Sequence, residues 1–261
     1  MANIYSITGK VVGNIELPTV FSTEYRPDLI QRAVVSEHSK SRQSYSTNPV
    51  AGLQTSADYF GNRRHTYRMT INRSQSRLPR IKPGGGGLGN VRRVPQSVGG
   101  RRAHPPRGKK YIKSLNKKEY QRALESAIAT SSKADLVALR GHKIEKVLEM
   151  PLIVESKFEE IKKTKKATET LASLGLGSDL ERSKKPSQQS GKAKSRGRPR
   201  RFKKSVLVVI EKDQGVKKAL ENIPGVDVCE LKDLNVDLLA PGTHAGRMTL
   251  WTQNAIERLR K

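Results

Sequence analysis

Apolar residues recur along this chain with two periods, and the switches between them mark out its elements. Residues 4–7 and 11–15 are short apolar runs either side of Thr8-Gly9-Lys10, the pattern of two strands joined by a turn. Pro27 suits the first turn of a helix in which Leu29, Ile30, Ala33 and Val34 share one face. The next helical stripe is Tyr120, Ala123, Leu124, Ala127 and Ile128, behind Asn116 and Glu119 in capping spacing. Residues 152–154 read as a short buried strand. Ser156 with Glu159 then predicts a capped helix running to residue 172, and Ser178 with Glu181 repeats the spacing. Residues 206–210 are an unbroken β-branched and leucine run, as expected of a strand covered on both faces. A helix over 216–220, strands over 225–229 and 248–251, and a helix from Thr252 carrying Ala255, Ile256 and Leu259 complete the series. Strands alternating with helices predict an α/β fold, a mostly parallel sheet with helices on both faces.

Between residues 40 and 110 neither period is sustained. This stretch carries Gly84 to Gly87, Gly89, Gly99 and Gly100 with Pro79, Pro83, Pro95, Pro105 and Pro106, and reads as a long irregular loop extension whose backbone polar groups need partners from elsewhere. Structureless loops beyond about 15 residues belong to function or disorder. The expected organisation is a globular domain from 1–39 and 111–261, an extended loop over 40–110, and a basic low-complexity insertion over 182–204. An out-and-back excursion of that length could reach roughly 110 Å, whereas the rest of the chain should have a radius of gyration of roughly 16 Å.

Charge sharpens this picture. The chain has 51 Lys and Arg against 24 Asp and Glu, a formal charge of +27. Residues 40–110 hold 16 of the basic residues and one acid, Asp58, and residues 182–204 hold 11 with no acid. Subtracting both windows leaves 51 − 27 = 24 basic and 24 − 1 = 23 acidic residues, so the excess belongs to two segments. Such concentration points to a polyanion. The first window has 12 Arg and 4 Lys, favouring the planar fork that meets phosphate and stacks on bases, while glycines let backbone approach sugar and phosphate. Tyr45, Tyr59, Phe60 and Tyr67 are candidates to stack on unpaired bases. The second window is open to three readings, a solvated linker, a further RNA contact or, in a source with a nucleus, a nuclear-localisation signal.

Other chemistries fare worse. GGGGLG at 84–89 satisfies the dinucleotide spacing, but Pro83 precedes it and Arg92, Arg93 and Pro95 follow, where strand and helix are required. His38, His65, His104, His142 and His244 form no short ligand pair, and Cys229 lies in an apolar strand where buried packing is the ordinary reading, so no metal and no cofactor are expected. Ser36, Glu37 and His38 are merely adjacent at a surface helix end. Glu159, Glu160, Lys162 and Lys163 read as a solvated face. An RNA-modifying enzyme would need a glycine turn between strand and helix with polar groups at strand ends, for which Glu211, Lys212, Asp213 and Gly215 are a weak candidate. A DNA-compacting protein would explain the charge but not the single long loop. One cysteine, no apolar run of about 18 residues and an opening MANIYSITGK without a signal-peptide stretch lead to the expectation of a reducing compartment, with no membrane and no small-molecule substrate.

The stretches AGLQTSADYFGNRRHTYRM at 51–69 and SRLPRIKPGGGGLGNVRRVPQSVGGRRAHPP at 76–106 resemble the loop of large-subunit ribosomal protein four in its archaeal and eukaryotic form. NKKEYQRALESAIATS after the loop and MTLWTQNAIERL near the end are similar too, and the length resembles the archaeal members. The resemblance implies a structural, non-enzymatic constituent of the large ribosomal subunit, cytoplasmic, bound early in assembly to large-subunit rRNA beside neighbouring large-subunit ribosomal proteins. It further implies that the loop helps line the nascent-peptide exit tunnel, with Arg73, Arg77, Arg80 and Lys82 tunnel-proximal. The residues expected to meet rRNA are these four with Arg42, Arg63, Arg64, Arg68, Arg92, Arg93, Arg101, Arg102, Arg107, Lys109 and Lys110, and from the second window Arg198, Arg200 and Arg201.

Overall fold

A computed structural model describes residues 1–59, 74, 76–81 and 89–260. Its elements are β1 (Ala2–Tyr5), β2 (Val11–Ile15), α1 (Pro27–Ser41), α2 (Lys117–Ser131), α3 (Ala134–Leu139), β3 (Leu152–Val154), α4 (Thr164–Ser173), α5 (Gly177–Lys184), β4 (Ser187–Gln188), α6 (Gly191–Ser195), β5 (Arg200–Arg201), β6 (Leu207–Ile210), α7 (Val216–Glu221), β7 (Asp227–Glu230), α8 (Val236–Leu239), β8 (Thr249–Thr252) and α9 (Gln253–Arg260). The chain divides into two units, Met1–Ser41 with Lys113–Lys261, here the body, and Arg42–Ile112.

The body is built on a six-stranded sheet of order β2-β1-β3-β8-β6-β7. β1 pairs antiparallel with β2 across the Thr8-Gly9 turn, and the other neighbours pair parallel. Because side chains alternate along a strand, each central strand feeds two cores. Ile153, Trp251, Val209 and Cys229 pack on one face with Ile30, Ala33 and Val34 of α1, Ala127 and Ile128 of α2, Val236 of α8 and Ile256 of α9. Leu152, Val154, Leu250, Val208 and Ile210 pack on the other with Val137 of α3, Leu171 of α4, Leu180 of α5 and Leu220 of α7. This double covering explains why β3, β6 and β8 are buried throughout rather than at alternate positions. Trp251, fully buried, meets Phe21 edge to face at 5.4 Å.

Where the chain leaves the body and where it returns lie side by side. Lys113 donates its backbone N–H to Ser39 Oγ (2.8 Å), and its carbonyl accepts from Ser36 Oγ (2.7 Å).

Several local expectations are corrected by the structure. Ser156 and Glu159 do not cap a long helix: residues Ser156–Glu160 make a 3-10 turn, the chain breaks at Ile161, and α4 starts only at Thr164. Nor is Glu159 on a solvated face, since it is 1% exposed and its Oε1 accepts from Thr252 Oγ1 (2.6 Å) and the Glu211 N–H (3.2 Å). The carboxylate that the pattern assigned to a helix start instead joins the turn to β8 and to the end of β6. At α5 the helix opens at Gly177 with Leu176 in the capping position, and Ser178 makes no capping bond. Asn116 does precede α2, without a side-chain capping bond. Ser36 is buried rather than at a surface end, and it, Glu37 and His38 face three ways: to Lys113, to the α8 N-terminus at Val236 and Asp237, and to the Asp237 carboxylate (2.9 Å).

A polar network closes the edge of the body where β6 begins. Asp179, with no exposed surface, accepts from Arg182 Nε (2.8 Å), Ser205 Oγ (2.6 Å) and His142 Nδ1 (3.1 Å). Burial works to raise the Asp179 pKa, but the His142 and Arg182 hydrogen bonds outweigh it and hold the carboxyl below the usual range. Burial pushes the His142 pKa down against the opposing pull of Asp179, and the same Nδ1 lies 3.2 Å from Arg182 Nη2.

Candidate nucleic-acid interface

Unit Arg42–Ile112 has little core: among its described residues Ala57 alone is buried. Backbone and side-chain hydrogen bonds organise it instead. At its base two limbs run together, Thr47 donating its N–H to the Pro106 carbonyl (3.1 Å) and Ser44 Oγ to the Lys109 carbonyl (2.9 Å). Tyr45 stacks on Tyr111 with centroids 6.1 Å apart, and the Arg42 guanidinium lies 4.1 Å from the centre of the Tyr111 ring. Farther along, Arg80 is the middle member of two antiparallel bridges, to Asp58 and to Val91. Its N–H donates to the Asp58 carbonyl (2.9 Å), and that of Arg92 to the Pro79 carbonyl (2.9 Å). The backbone of this stretch thus finds some partners within itself, which its sequence did not predict.

Glycine here serves approach of chain to chain. At Gly52, where φ is +76°, a Cβ would meet the Arg101 backbone, and at Gly100 it would run into the Val94 carbonyl.

The basic residues separate into two kinds. Arg42, Arg77, Arg101, Arg102, Arg107, Lys109 and Lys110 are exposed. Arg80, Arg92 and Arg93 are half-buried and spend donors on their own chain. Arg80 gives Nη1 to the Gly89 carbonyl (3.2 Å) and Nη2 to the carbonyl and Oγ of Ser76; Arg92 donates to the Val98 carbonyl; Arg93, at φ +70°, donates to the Ala57 carbonyl (3.0 Å). These three are therefore only partly free to meet an outside partner. Arg63, Arg64, Arg68, Arg73 and Lys82 lie outside the described residues, as do Phe60, Tyr67 and the GGGGLG run up to residue 88. Tyr59 is 49% exposed.

In the second basic window β4 and β5 pair antiparallel around α6, and Arg198, Arg200 and Arg201 are exposed on this hairpin. Sequence signalled neither the pairing nor the helix.

Alternative chemistry finds its groups already employed. Asp213 accepts from the N–H groups of Gly215 and Lys217 at the start of α7, and Glu211 pairs with Arg258 (3.0 Å). The Cys229 thiol is pushed up to about 12 by burial, which keeps it protonated. Among the described residues there is no cluster of three or more metal-ligating side chains, and no helix is long and apolar enough to cross a membrane.

The body is an α/β domain, and the second unit is core-poor and arginine-rich, a composition suited to meeting a polyanion. Comparison narrows this: residues 15–261 match the model of the ribosomal protein L4/L1 family. The chain is 44% identical over 260 residues to the large ribosomal subunit protein uL4 of Archaeoglobus fulgidus, covering 99% of this chain and 97% of that one. It is 42% identical over 259 residues to the uL4 protein of Methanosphaera stadtmanae (98% and 95% covered) and 41% identical over 261 residues to that of Halorubrum lacusprofundi (99% and 98%). The chain belongs to the ribosomal protein L4/L1 family, and these relatives are archaeal, as the sequence resemblance implied.

Proposed function

We propose that this protein is a structural constituent of the large ribosomal subunit, not an enzyme, that works in the cytoplasm by binding large-subunit rRNA through residues 42–112. One observation carries the reading within the family: the segment richest in unopposed positive charge is also the one with almost no apolar core. Few of its ordering costs are offset by burial, so phosphate and stacked bases supply the rest. Arg42, Arg77, Arg101, Arg102, Arg107, Lys109 and Lys110 are its phosphate contacts, with Arg63, Arg64, Arg68, Arg73 and Lys82 in the same role. Arg80, Arg92 and Arg93 set the shape in which the others are presented. Arg198, Arg200 and Arg201 give a further contact from the body, and neighbouring large-subunit proteins complete the surroundings. The excursion also borders the nascent-peptide exit tunnel, with Arg73, Arg77, Arg80 and Lys82 nearest to it, and joins the rRNA early in assembly.

Crosslinking in cells followed by sequencing of the bound RNA tests the reading. Reads concentrated in large-subunit rRNA are expected; reads scattered over messengers would overturn it. For the tunnel, a photoreactive residue at position 77 on ribosomes carrying a stalled chain should capture the nascent peptide, and capture of rRNA alone would remove that part.

A further inference from the structure

The body carries a cavity of about 840 Å³ on the side where Asp179 and Ser205 meet, lined wholly by residues of the body itself. Its wall is formed by the end of α3 with Arg140 and His142, by Arg182 of α5, by residues 201–204, and by the turn from Pro241 to Ala245. Five Lys and Arg side chains line it, and among the described residues no Asp or Glu does.

Those five are not equivalent. Arg182 is paired with Asp179 at 2.8 Å and Lys204 with Asp227 at 2.7 Å, so both charges are offset from behind the wall. Arg140, Arg201 and Lys203 have no carboxylate partner among the described residues. Arg140 gives Nη2 to the Pro241 carbonyl (2.8 Å), but its Nη1 is buried and makes no hydrogen bond. Burial, with Arg247 and Arg182 close by, pulls its pKa down to about 10, and a guanidinium so placed is destabilising until an anion meets it. Between Arg201 and Lys203 the large apolar ring of Phe202 stays 45% exposed at the cavity.

We propose that this cavity is a second RNA site, one that takes a single unstacked nucleotide of a single-stranded or bulged segment, its phosphate on Arg140, Arg201 and Lys203 and its base against Phe202. The proposal rests on RNA being the partner of this chain. The volume is that of a small-ligand pocket, about 300–1,000 Å³, and so admits a whole nucleotide rather than a phosphate alone. An aromatic face beside unopposed cations is the combination that holds splayed bases in RNA recognition. An acidic peptide would satisfy the charges but leave Phe202 without a planar partner, and RNA is therefore favoured.

The test uses the full chain and a uridylate octamer containing 4-thiouridine, crosslinked by light and mapped by peptide. A crosslink on Phe202 is expected beside those in 42–112. Phe202→Leu should remove it, and Lys203→Gln and Arg140→Gln should each lower its yield about tenfold, the cost of one charge-assisted contact, with loop crosslinks unchanged. Lys203 is exposed, so its variant remains informative should Arg140→Gln fail to fold. Crosslinks confined to 42–112 would overturn this site and leave the loop reading standing; crosslinks nowhere would overturn both. Loss of the Phe202 crosslink to polyglutamate at equal charge, with the loop crosslinks retained, would assign the cavity to an acidic peptide instead.

Discussion

Asp179 shows how much one buried side chain can carry. Arg182, His142 and Ser205 all donate to it from different parts of the body, so Asp179→Asn removes the carboxylate that faces Arg182 and should destabilise the body by roughly 3 kcal/mol. The sign of the pH effect follows from the depressed carboxyl: its contribution is complete above the unfolded value of about 4 and is lost as pH falls toward the lower folded value. Depressed His142 acts in the same direction, its contribution lost as pH falls below about 6.5. Urea midpoints should accordingly decline in acid for the native chain, with a smaller decline below pH of about 4 in Asp179→Asn; a midpoint independent of pH would refute the network. The loop arginines divide at the same scale. Arg101→Ala should weaken rRNA binding without changing backbone exchange in the loop, whereas Arg93→Ala should speed exchange at the Arg80 and Arg92 amides, because Arg93 ties its segment to Ala57. Equal exchange in both variants would show that Arg93 has no shaping role.

Elements of the body were legible wherever burial itself sets the pattern. The runs at 152–154 and 206–210 and the stripe from Ala123 to Ile128 are periodic because each faces a core, and they appear as β3, β6 and α2. The capping signal at Glu159 failed because distant partners compete for its side chain: it reads as a helix-start residue over a few positions, but Thr252 and Glu211 claim it across 93 and 52 positions of chain. The hairpin of β4 and β5 and short α3 and α8 were missed because they bury too little to impose a period. The loop's charge and composition were visible at once, while the division of its arginines was not, since one guanidinium reads like another until its carbonyl partners are known. Joining Ser41 to Lys113 should remove 42–112 and leave the body folded, because Ser36 and Ser39 already hold Lys113 beside α1. A cooperative melt within a few degrees of the native chain is expected; loss of the transition would mean that the excursion is part of the body's core.

At the scale of the whole molecule, two segments with opposite physical character share one chain. The body buries a sheet on both faces and holds most of the chain's acidic residues; residues 42–112 hold 15 Lys and Arg against Asp58 and bury one described side chain. On the proposed function, this second segment carries the affinity for rRNA. The deciding measurement is binding of the native chain and of the Ser41–Lys113 joined variant to large-subunit rRNA, titrated across salt. Each phosphate left unneutralised by the deletion should lower the log-log slope by about 0.7 to 0.9. The native chain should show a slope of several units and the joined variant a much shallower one with far weaker binding; equal affinity and equal slope in the two proteins would contradict the claim.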